Sequence, residues 1–171
     1  QLHDWPDMAS GAAGIRATLC SLRLGNNPQL AGIKHLNRLE QVMARSEWDD
    51  PGIREGLLLD QAGRVIEGTM SNLFLVKDGL LTTPDLARCG VAGIMRDVVL
   101  ELAGRQAIDT RVCDVGLDAL FQADELFVCN SLIGIWPVLA VNSNRYPRGA
   151  VTSGLQSRLQ GYDDDSHTWR A

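Results

Sequence analysis

The sequence predicts one domain of the α+β class, in which a mixed sheet is flanked by helices. Two observations support this class. Most of the periodic segments are short strands, and the helical segments are interspersed among them without a regular strand–helix alternation. Size is a third observation, because 171 residues of which 45% are hydrophobic are enough to bury one sizeable core.

The first half of the chain begins with a strand, a turn and a helix. Residues 14–24 alternate as a strand does, and residues 25–28 form a Gly-Asn-Asn-Pro turn. A helix is predicted beyond Gly32. Its apolar face consists of Leu36, Leu39, Val42 and Met43. Four short strands are predicted next, at residues 56–60, 64–67, 72–76 and 80–83, with a Lys-Asp-Gly hairpin turn at 77–79.

The second half mixes helices and strands. A helix is predicted from Gly93 to residue 102. The later elements are a strand at 107–113, a short helix at 117–121, strands at 125–129 and 136–141, and a helix at 152–159. We expect one domain at 14–162, preceded by a linker segment at 1–13 and followed by a loose polar tail at 163–171.

Composition favours a cytoplasmic protein without nucleic acid or membrane partners. The formal net charge of −5 provides no basic surface for either polyanion. No apolar run approaches the ~20 residues of a membrane helix. The cysteines are scattered, so we expect buried reduced thiols rather than disulfides or a zinc site. They are Cys20, Cys89, Cys113 and Cys129. The histidines are also unclustered, and no metal site is expected.

Lys34 is the first candidate for chemistry. It follows Gly32-Ile33 and directly precedes the first predicted helix. The positive end of a helix destabilises a nearby ammonium and so favours the neutral amine, which Schiff-base chemistry requires. A lysine at a helix start is more often a solvated surface residue, so Lys34 alone is weak support for such a site.

Glu67 is the second candidate. It lies between Val65-Ile66 and Gly68, at the end of a predicted strand, where a side chain can point into a cleft. A carboxylate beside a pyridine-type ring nitrogen keeps that nitrogen protonated, so that the ring can accept electrons. The alternative is a glutamate in a salt bridge at the rim of the sheet.

Two further segments are suited to bind an anion. Gly93 opens a predicted helix whose first free N–H groups, at Ile94 and Met95, can bind a phosphate. Asn130 and Ser131 end a buried strand with two hydrogen-bonding side chains. Ser131 could complete the phosphate site, or the pair could simply begin a turn.

The order and spacing of these motifs resemble those of the fold-type IV pyridoxal-phosphate enzymes. This family contains aminodeoxychorismate lyases, branched-chain aminotransferases and D-amino acid aminotransferases. The resemblance covers residues 14–141 and rests on Glu67-Gly68 with Ser71-Asn72-Leu73-Phe74, on Gly93-Ile94-Met95-Arg96, and on Glu125-Leu126-Phe127-Val128. Residues 30–42 and 124–132 are most similar to the lyases, although D-amino acid enzymes can also carry a leucine where Leu39 stands.

The resemblance implies a barrel-like domain that binds pyridoxal 5'-phosphate and is typically part of a homodimer. Lys34 would hold the cofactor and act as the catalytic general acid and base, and Glu67 would pair with the ring nitrogen. The implied cofactor-binding residues are Lys34, Glu67, Asn72, Gly93, Ile94, Met95, Asn130 and Ser131. The implied reaction converts 4-amino-4-deoxychorismate into 4-aminobenzoate and pyruvate, a step toward folate.

Two alternatives to the lyase remain open. The first is an aminotransferase that acts on D-amino or branched-chain amino acids. The second is an inactive fragment that keeps the fold without the cofactor. Family members carry a further small domain of about a hundred residues before the position of Gln1, and the resemblance assigns it much of the substrate pocket. We expect that domain to be absent from this chain.

Overall fold

The structure, a computed structural model, describes residues 11–165, with side chains as far as residue 161. Within this part, nine strands and four helices follow one another in chain order. They are β1 (Ile15–Leu24), α1 (Leu39–Arg45), β2 (Ile53–Asp60), β3 (Val65–Gly68), β4 (Asn72–Lys77), β5 (Leu80–Pro84), α2 (Ile94–Arg105), β6 (Thr110–Cys113), α3 (Leu117–Phe121), β7 (Glu125–Asn130), β8 (Gly134–Val141), β9 (Asn144–Arg145) and α4 (Ala150–Asp165). In the described part of the chain, no helix has the length and apolar character needed to cross a membrane.

The strands form one mixed sheet that curls until its two ends meet. Its order is β3-β2-β1-β8-β7-β4-β5-β6, and β9 pairs with β8. β1 runs parallel to β2 and β8, β5 runs parallel to β6, and the other pairs are antiparallel. Val65 of β3 bridges Val115, just beyond β6, and its N–H donates to the Val115 carbonyl at 2.8 Å. The curled mixed sheet and its flanking helices confirm the predicted fold class.

The central strands are buried on both faces, which explains their nearly continuous apolar sequences. Along β4, Leu73 and Leu75 belong to a cluster on the concave face of the sheet, whereas Phe74 and Val76 pack beneath α2 and α4. Phe74 stacks on Phe127 of β7 with the ring centroids 4.9 Å apart. A third cluster packs α1 against β1, β2 and β3. The core therefore continues through the sheet rather than lying on one side of it.

The first helix differs from the prediction in its start and in its orientation. α1 begins at Leu39 rather than just beyond Gly32. Leu36 is 99% exposed, and Leu39, Val42 and Met43 are each more than half exposed. The predicted apolar face therefore points to solvent rather than toward the sheet.

The residues that α1 buries are Gln41 and Ala44, and Glu47, two residues beyond the helix, accepts hydrogen bonds from β1. The pairing of β1 with β2 shifts register between Leu19 and Arg23. The N–H groups of Ser21 and Leu22 donate instead to the Glu47 carboxylate, at 2.6 and 2.9 Å. Backbone donors that lose their strand partner need another acceptor. Periodicity identifies the apolar face of a helix, but it does not show which face the sheet uses.

Smaller differences concern the ends of elements. The strand predicted at 107–113 is limited to β6, because Ala107 adopts a φ of 54° in the turn after α2. β9 is absent from the prediction, and α4 continues to Asp165, three residues into the predicted polar tail. The rest of that tail and residues 1–10 of the predicted linker lie outside the described residues.

Candidate active site

One cleft of about 340 Å³ is lined by all eight of the predicted cofactor-binding residues. They are Lys34, Glu67, Asn72, Gly93, Ile94, Met95, Asn130 and Ser131. The cleft lies where β3 and β7 end and where β4 and α2 begin. Arg38, Met70 and Leu132 also line it, although the sequence did not single them out. The structure therefore brings together residues that are up to 97 positions apart in the chain.

Residues 90–93, between β5 and α2, hold the walls of the cleft together. The Gly32 N–H donates to the Gly90 carbonyl at 2.9 Å, and the Gly32 carbonyl accepts from Ala92 at 3.0 Å. The Val91 N–H donates to Glu67 Oε2 at 2.7 Å. Gly32 and Gly90 both have positive φ, 79° and 89°, which favours glycine at these positions. This segment therefore connects the lysine-bearing loop to Glu67.

Lys34 lies in a loop rather than at a helix start. Because α1 begins at Leu39, the helix dipole cannot act on the amine as the sequence predicted, and that argument is wrong. The Lys34 side chain is exposed and lines the cleft. Lys77 is the only other lysine of the chain, and its ammonium pairs with Asp124 at 2.8 Å. Lys34 is therefore the one lysine at the cleft.

Glu67 is a buried carboxyl with one oxygen that lacks a partner. The side chain is 2% exposed, and Oε2 accepts the Val91 N–H. Among the described residues, no group hydrogen-bonds the buried Oε1 atom. Burial raises the pKa of Glu67 to about 7, although the Val91 N–H and the charge of Arg38 act to lower it. A buried acceptor of this kind is suited to a cationic donor that enters the cleft.

Asn72 holds the 90–93 segment in place. Its Nδ2 donates to the Val91 carbonyl at 2.7 Å, and its Oδ1 accepts the Gly93 N–H at 3.2 Å. A Cβ atom at Gly93 would lie 2.3 Å from Asn72 Oδ1, so the contact requires glycine there. Asn72 therefore acts on the cleft through the backbone that it fixes.

The first turn of α2 leaves backbone donors open beside the cleft. Gly93 is the N-cap, and no side chain caps this helix. Ile94 and Met95 line the cleft, and their N–H groups belong to the set that has no intrahelical acceptor. The start of a twelve-residue helix with open N–H groups favours an anion such as a phosphate.

Asn130 and Ser131 have different environments. The Asn130 Oδ1 accepts the N–H groups of Leu132 and Ile133 at 2.8 and 2.9 Å, and its Nδ2 donates to the Met70 carbonyl at 2.9 Å. Asn130 therefore begins a turn, which is the second of its two predicted roles. Ser131 is exposed at the cleft, where its hydroxyl can reach an anion.

Glu55 is a supporting residue that the sequence reasoning missed. It is fully buried and accepts hydrogen bonds from the N–H and hydroxyl of Thr69 and from the Ser71 hydroxyl, at 2.9, 2.6 and 2.6 Å. Burial raises the pKa of Glu55, and these hydrogen bonds oppose that effect. The turn that Glu55 fixes joins Glu67 to Asn72. A carboxylate just before the apolar run at residues 57–59 of β2 was the signal that could have identified it.

The chemistry of the cleft follows from its three kinds of group. An amine, a buried acceptor without a partner and an anion-binding helix start surround one space. Together they can hold a ligand that carries a carbonyl, a cationic ring nitrogen and a phosphate. The partnerless Glu67 Oε1 makes this fit specific, because an isolated buried acceptor is otherwise unfavourable.

Comparison with known proteins agrees with this chemistry. Aminodeoxychorismate lyase of Vibrio harveyi is 43% identical over 150 residues, which cover 85% of this chain and 55% of that protein. The crystal structure of 4-amino-4-deoxychorismate lyase from Pseudomonas aeruginosa superposes with a TM-score of 0.85 at 52% identity, over 87% of this chain and 55% of that one. The chain thus spans about half the length of these relatives.

A third relative was solved with a derivative of the cofactor. The branched-chain amino acid aminotransferase of T.th., in complex with N-(5'-phosphopyridoxyl)-L-glutamate, has a TM-score of 0.78 at 27% identity, over 86% of this chain and 51% of that one. Residues 3–141 match the family described as amino-transferase class IV. The chain therefore belongs to the class IV aminotransferases, a family of enzymes that depend on pyridoxal phosphate and that includes the aminodeoxychorismate lyases.

Proposed function

We propose that this chain is the cofactor-bearing part of a lyase that converts 4-amino-4-deoxychorismate into 4-aminobenzoate and pyruvate, a step toward folate. One observation carries the proposal: Lys34, the partnerless Glu67 oxygen and the open start of α2 surround a single cleft. The similarity to two lyases of this name supports this reaction over amino transfer.

Pyridoxal 5'-phosphate fits the cleft through groups that this chain provides. Lys34 would hold its carbonyl carbon, Glu67 its ring nitrogen, and the Ile94 and Met95 N–H groups with the Ser131 hydroxyl its phosphate. When bound, the cofactor stores the negative charge that develops at the amine-bearing carbon of the substrate. Asn72 and Asn130 maintain the backbone geometry of these contacts.

Lys34 is the residue that moves protons in the proposed reaction. Its free amine takes the proton from the amine-bearing carbon of the substrate and later gives a proton to the departing enol, which becomes pyruvate. The carbocycle becomes aromatic as the enolpyruvyl group leaves, which provides the driving force. Glu67 keeps its negative charge beside the ring nitrogen throughout, and the apolar Met70 and Leu132 side chains help to exclude water from the cleft.

Covalent labelling tests the cofactor site directly. The chain is mixed with pyridoxal phosphate and reduced with borohydride, and the modified peptides are mapped by mass spectrometry. We expect label on Lys34 and none on Lys77, which is exposed and ion-paired. Lys34→Ala should abolish the label, whereas Lys77→Ala should retain it. Equal labelling of both lysines, or none, in a chain that carries the upstream domain would overturn the assignment of Lys34.

Product analysis separates the lyase from the aminotransferase. A chain joined to the upstream domain of a lyase relative should release 4-aminobenzoate from 4-amino-4-deoxychorismate without a keto acid. Amino transfer that depends on a keto acid, with D-amino or branched-chain donors, would replace the lyase by the alternative reaction. Label on Lys34 with neither activity would identify a cofactor-binding chain without catalysis.

We also propose a homodimer in the cytoplasm. The α1 apolar face (Leu36, Leu39, Val42 and Met43) supports a partner surface, because large exposed apolar patches mark interaction sites. All four cysteines are free thiols, which is typical of a reducing compartment.

A further inference from the structure

Two opposing effects determine the charge state of Glu67, namely burial of the carboxyl and hydrogen bonding to it. The carboxyl is almost completely buried, and burial disfavours its charged form. The Val91 N–H donates a hydrogen bond to its Oε2 atom. A Cβ atom at Gly90 would lie 3.2 Å from the same oxygen, so the backbone is close on this side. One backbone donor does not offset burial of this extent, so the charge state of Glu67 also depends on the other groups around the carboxyl.

Two residues at the start of α1 are placed to act on this charge state. Arg38 is the N-cap of α1, and the Val42 N–H donates to its carbonyl at 3.0 Å, so Arg38 and Gln41 share one side of this turn. Both line a second cavity of about 320 Å³, whose wall also includes Gly90 and Val91. Arg38 lines the cofactor cleft as well. The two side chains therefore share a cavity wall with the 90–91 backbone, in which the Val91 N–H donates to Glu67.

Gln41 is unusual for a residue on a short surface helix. Its side chain is only 9% exposed, and α1 buries only Gln41 and Ala44. Its Oε1 atom is buried without a hydrogen-bond partner among the described residues. Burying an amide in this way is unfavourable, so its position calls for a role that packing does not provide.

We propose that Arg38 and Gln41 are positioning residues that keep the Glu67 carboxylate negatively charged for a cationic ring nitrogen. The part that concerns the ring nitrogen rests on the proposed function, whereas the effect on Glu67 does not.

The electrostatics of the site agree with this role. Burial raises the pKa of Glu67 to about 7, and the Val91 N–H, the charge of Arg38 and the Gln41 side chain each lower it. Glu55, from β2, raises it. The other titratable side chains around the site are Lys34, which lines the cleft, and His35, Glu40 and Cys89, which line the second cavity. Arg38 is the positive group that lowers the Glu67 pKa, and the Gln41 amide lowers it further without making a hydrogen bond of normal geometry to the unpartnered Oε1 atom.

Titration of Glu67 without cofactor tests the proposal. Carbon-13 NMR of the side-chain carboxyl, assigned with Glu67→Gln, should give a midpoint near pH 7 in the wild-type chain. Gln41→Met and Arg38→Met should each move the midpoint upward by about half a pH unit or more. Arg38→Lys restores the positive charge and should bring the midpoint back toward the wild-type value. Gln61→Met, the same change in an exposed turn, should leave it unchanged.

The outcomes separate this proposal from the proposed function. Circular dichroism verifies that each variant is folded, and Arg38→Met, at a partly exposed position, serves if Gln41→Met does not fold. Unchanged midpoints in both variants overturn the proposal, and an unchanged midpoint in one removes that residue from it. Shifted midpoints in a chain that does not bind pyridoxal phosphate uphold the effect on Glu67 and contradict the proposed function. Where the cofactor binds, its affinity should fall several-fold in both variants.

Discussion

Glu67 combines nearly complete burial with an oxygen that no described residue hydrogen-bonds. Its pKa is raised from the ordinary value of 4.5 to about 7 by burial, so the folded protein binds this proton more tightly than the unfolded chain does. The stability associated with the proton is complete below about pH 4.5 and is lost as the pH rises through about 7. The site residue thus destabilises the cofactor-free protein when it is charged.

Glu67→Gln should therefore stabilise the cofactor-free chain at about pH 8 by up to about 3 kcal/mol, and the gain should vanish near about pH 4.5. Urea unfolding at a series of pH values measures this difference. Asp60→Asn is the matched control of opposite sign. Asp60 is also buried, but hydrogen bonds and the charge of Arg64 outweigh burial and lower its pKa. Asp60→Asn should therefore destabilise the protein at neutral pH. If Glu67→Gln also destabilised the protein at that pH, the role of burial would be contradicted.

Single residues show what the sequence can and cannot predict about the site. The position of Glu67 at the cleft was predictable, because a residue at the end of an apolar strand can point its side chain into a cleft. The role of Asn72 could not be predicted, because its partners lie 19 and 21 positions further along the chain, in a loop without periodicity. The lysine was identified for a reason that the structure contradicts, since the helix that should act on it starts five residues later.

Among the elements, the start of α2 is the one whose geometry determines anion binding. Gly93→Ala would place a Cβ atom 2.3 Å from Asn72 Oδ1, and the Asn72 side chain or the 90–93 segment would have to move. We expect a loss of about 1 to 3 kcal/mol in the free energy of unfolding, together with weaker binding of pyridoxal phosphate. Chemical denaturation and a cofactor titration measure the two effects.

Gly104→Ala provides the comparison within the same helix. No atom lies within 4 Å of a Cβ built at Gly104, and alanine has the higher helix propensity. This variant should therefore gain up to about 1 kcal/mol in stability and bind the cofactor as the wild type does. If both glycine variants behaved alike, helix propensity rather than the contact with Asn72 would explain Gly93.

At the same scale, the strands were easier to predict than the first helix. The strands of the core are buried on both faces, so their apolar runs reflect a requirement that does not depend on the neighbouring strand. The segment just after α1 is tied to β1 at a shift of register, where the Ser21 and Leu22 N–H groups donate to Glu47. A shift of register is a property of strand pairing, and no local pattern in the sequence encodes it.

Closure of the sheet is a property of the whole molecule rather than of single residues or elements. The sheet curls until β3 meets the chain beyond β6, through the bridge between Val65 and Val115. Near this closure, Glu67 at the end of β3 accepts a hydrogen bond from Val91 of the 90–93 segment. The sequence predicted a mixed sheet, but the strand order depends on contacts between distant segments. The resemblance to a family, rather than periodicity, was what predicted a barrel-like domain.

At this scale, the partner proposed for the α1 apolar face is a second copy of the chain. The face follows Lys34 directly in the chain, since Leu36 and Leu39 lie two and five residues beyond it. A partner that covers the face would therefore border the cleft. Apolar side chains as exposed as these lose favourable free energy unless another surface removes them from water.

The double variant Leu39→Glu with Val42→Glu should convert the dimer into a monomer, because burying two carboxylates in an apolar interface is strongly unfavourable. Sedimentation velocity over a range of concentrations measures the change, with circular dichroism to verify the fold. Val112→Glu is the matched control, because Val112 is a half-exposed apolar residue on β6, away from this face, and it should leave the dimer intact. A double variant that stays dimeric would place the interface elsewhere, and a wild-type chain that is monomeric throughout would contradict the dimer itself.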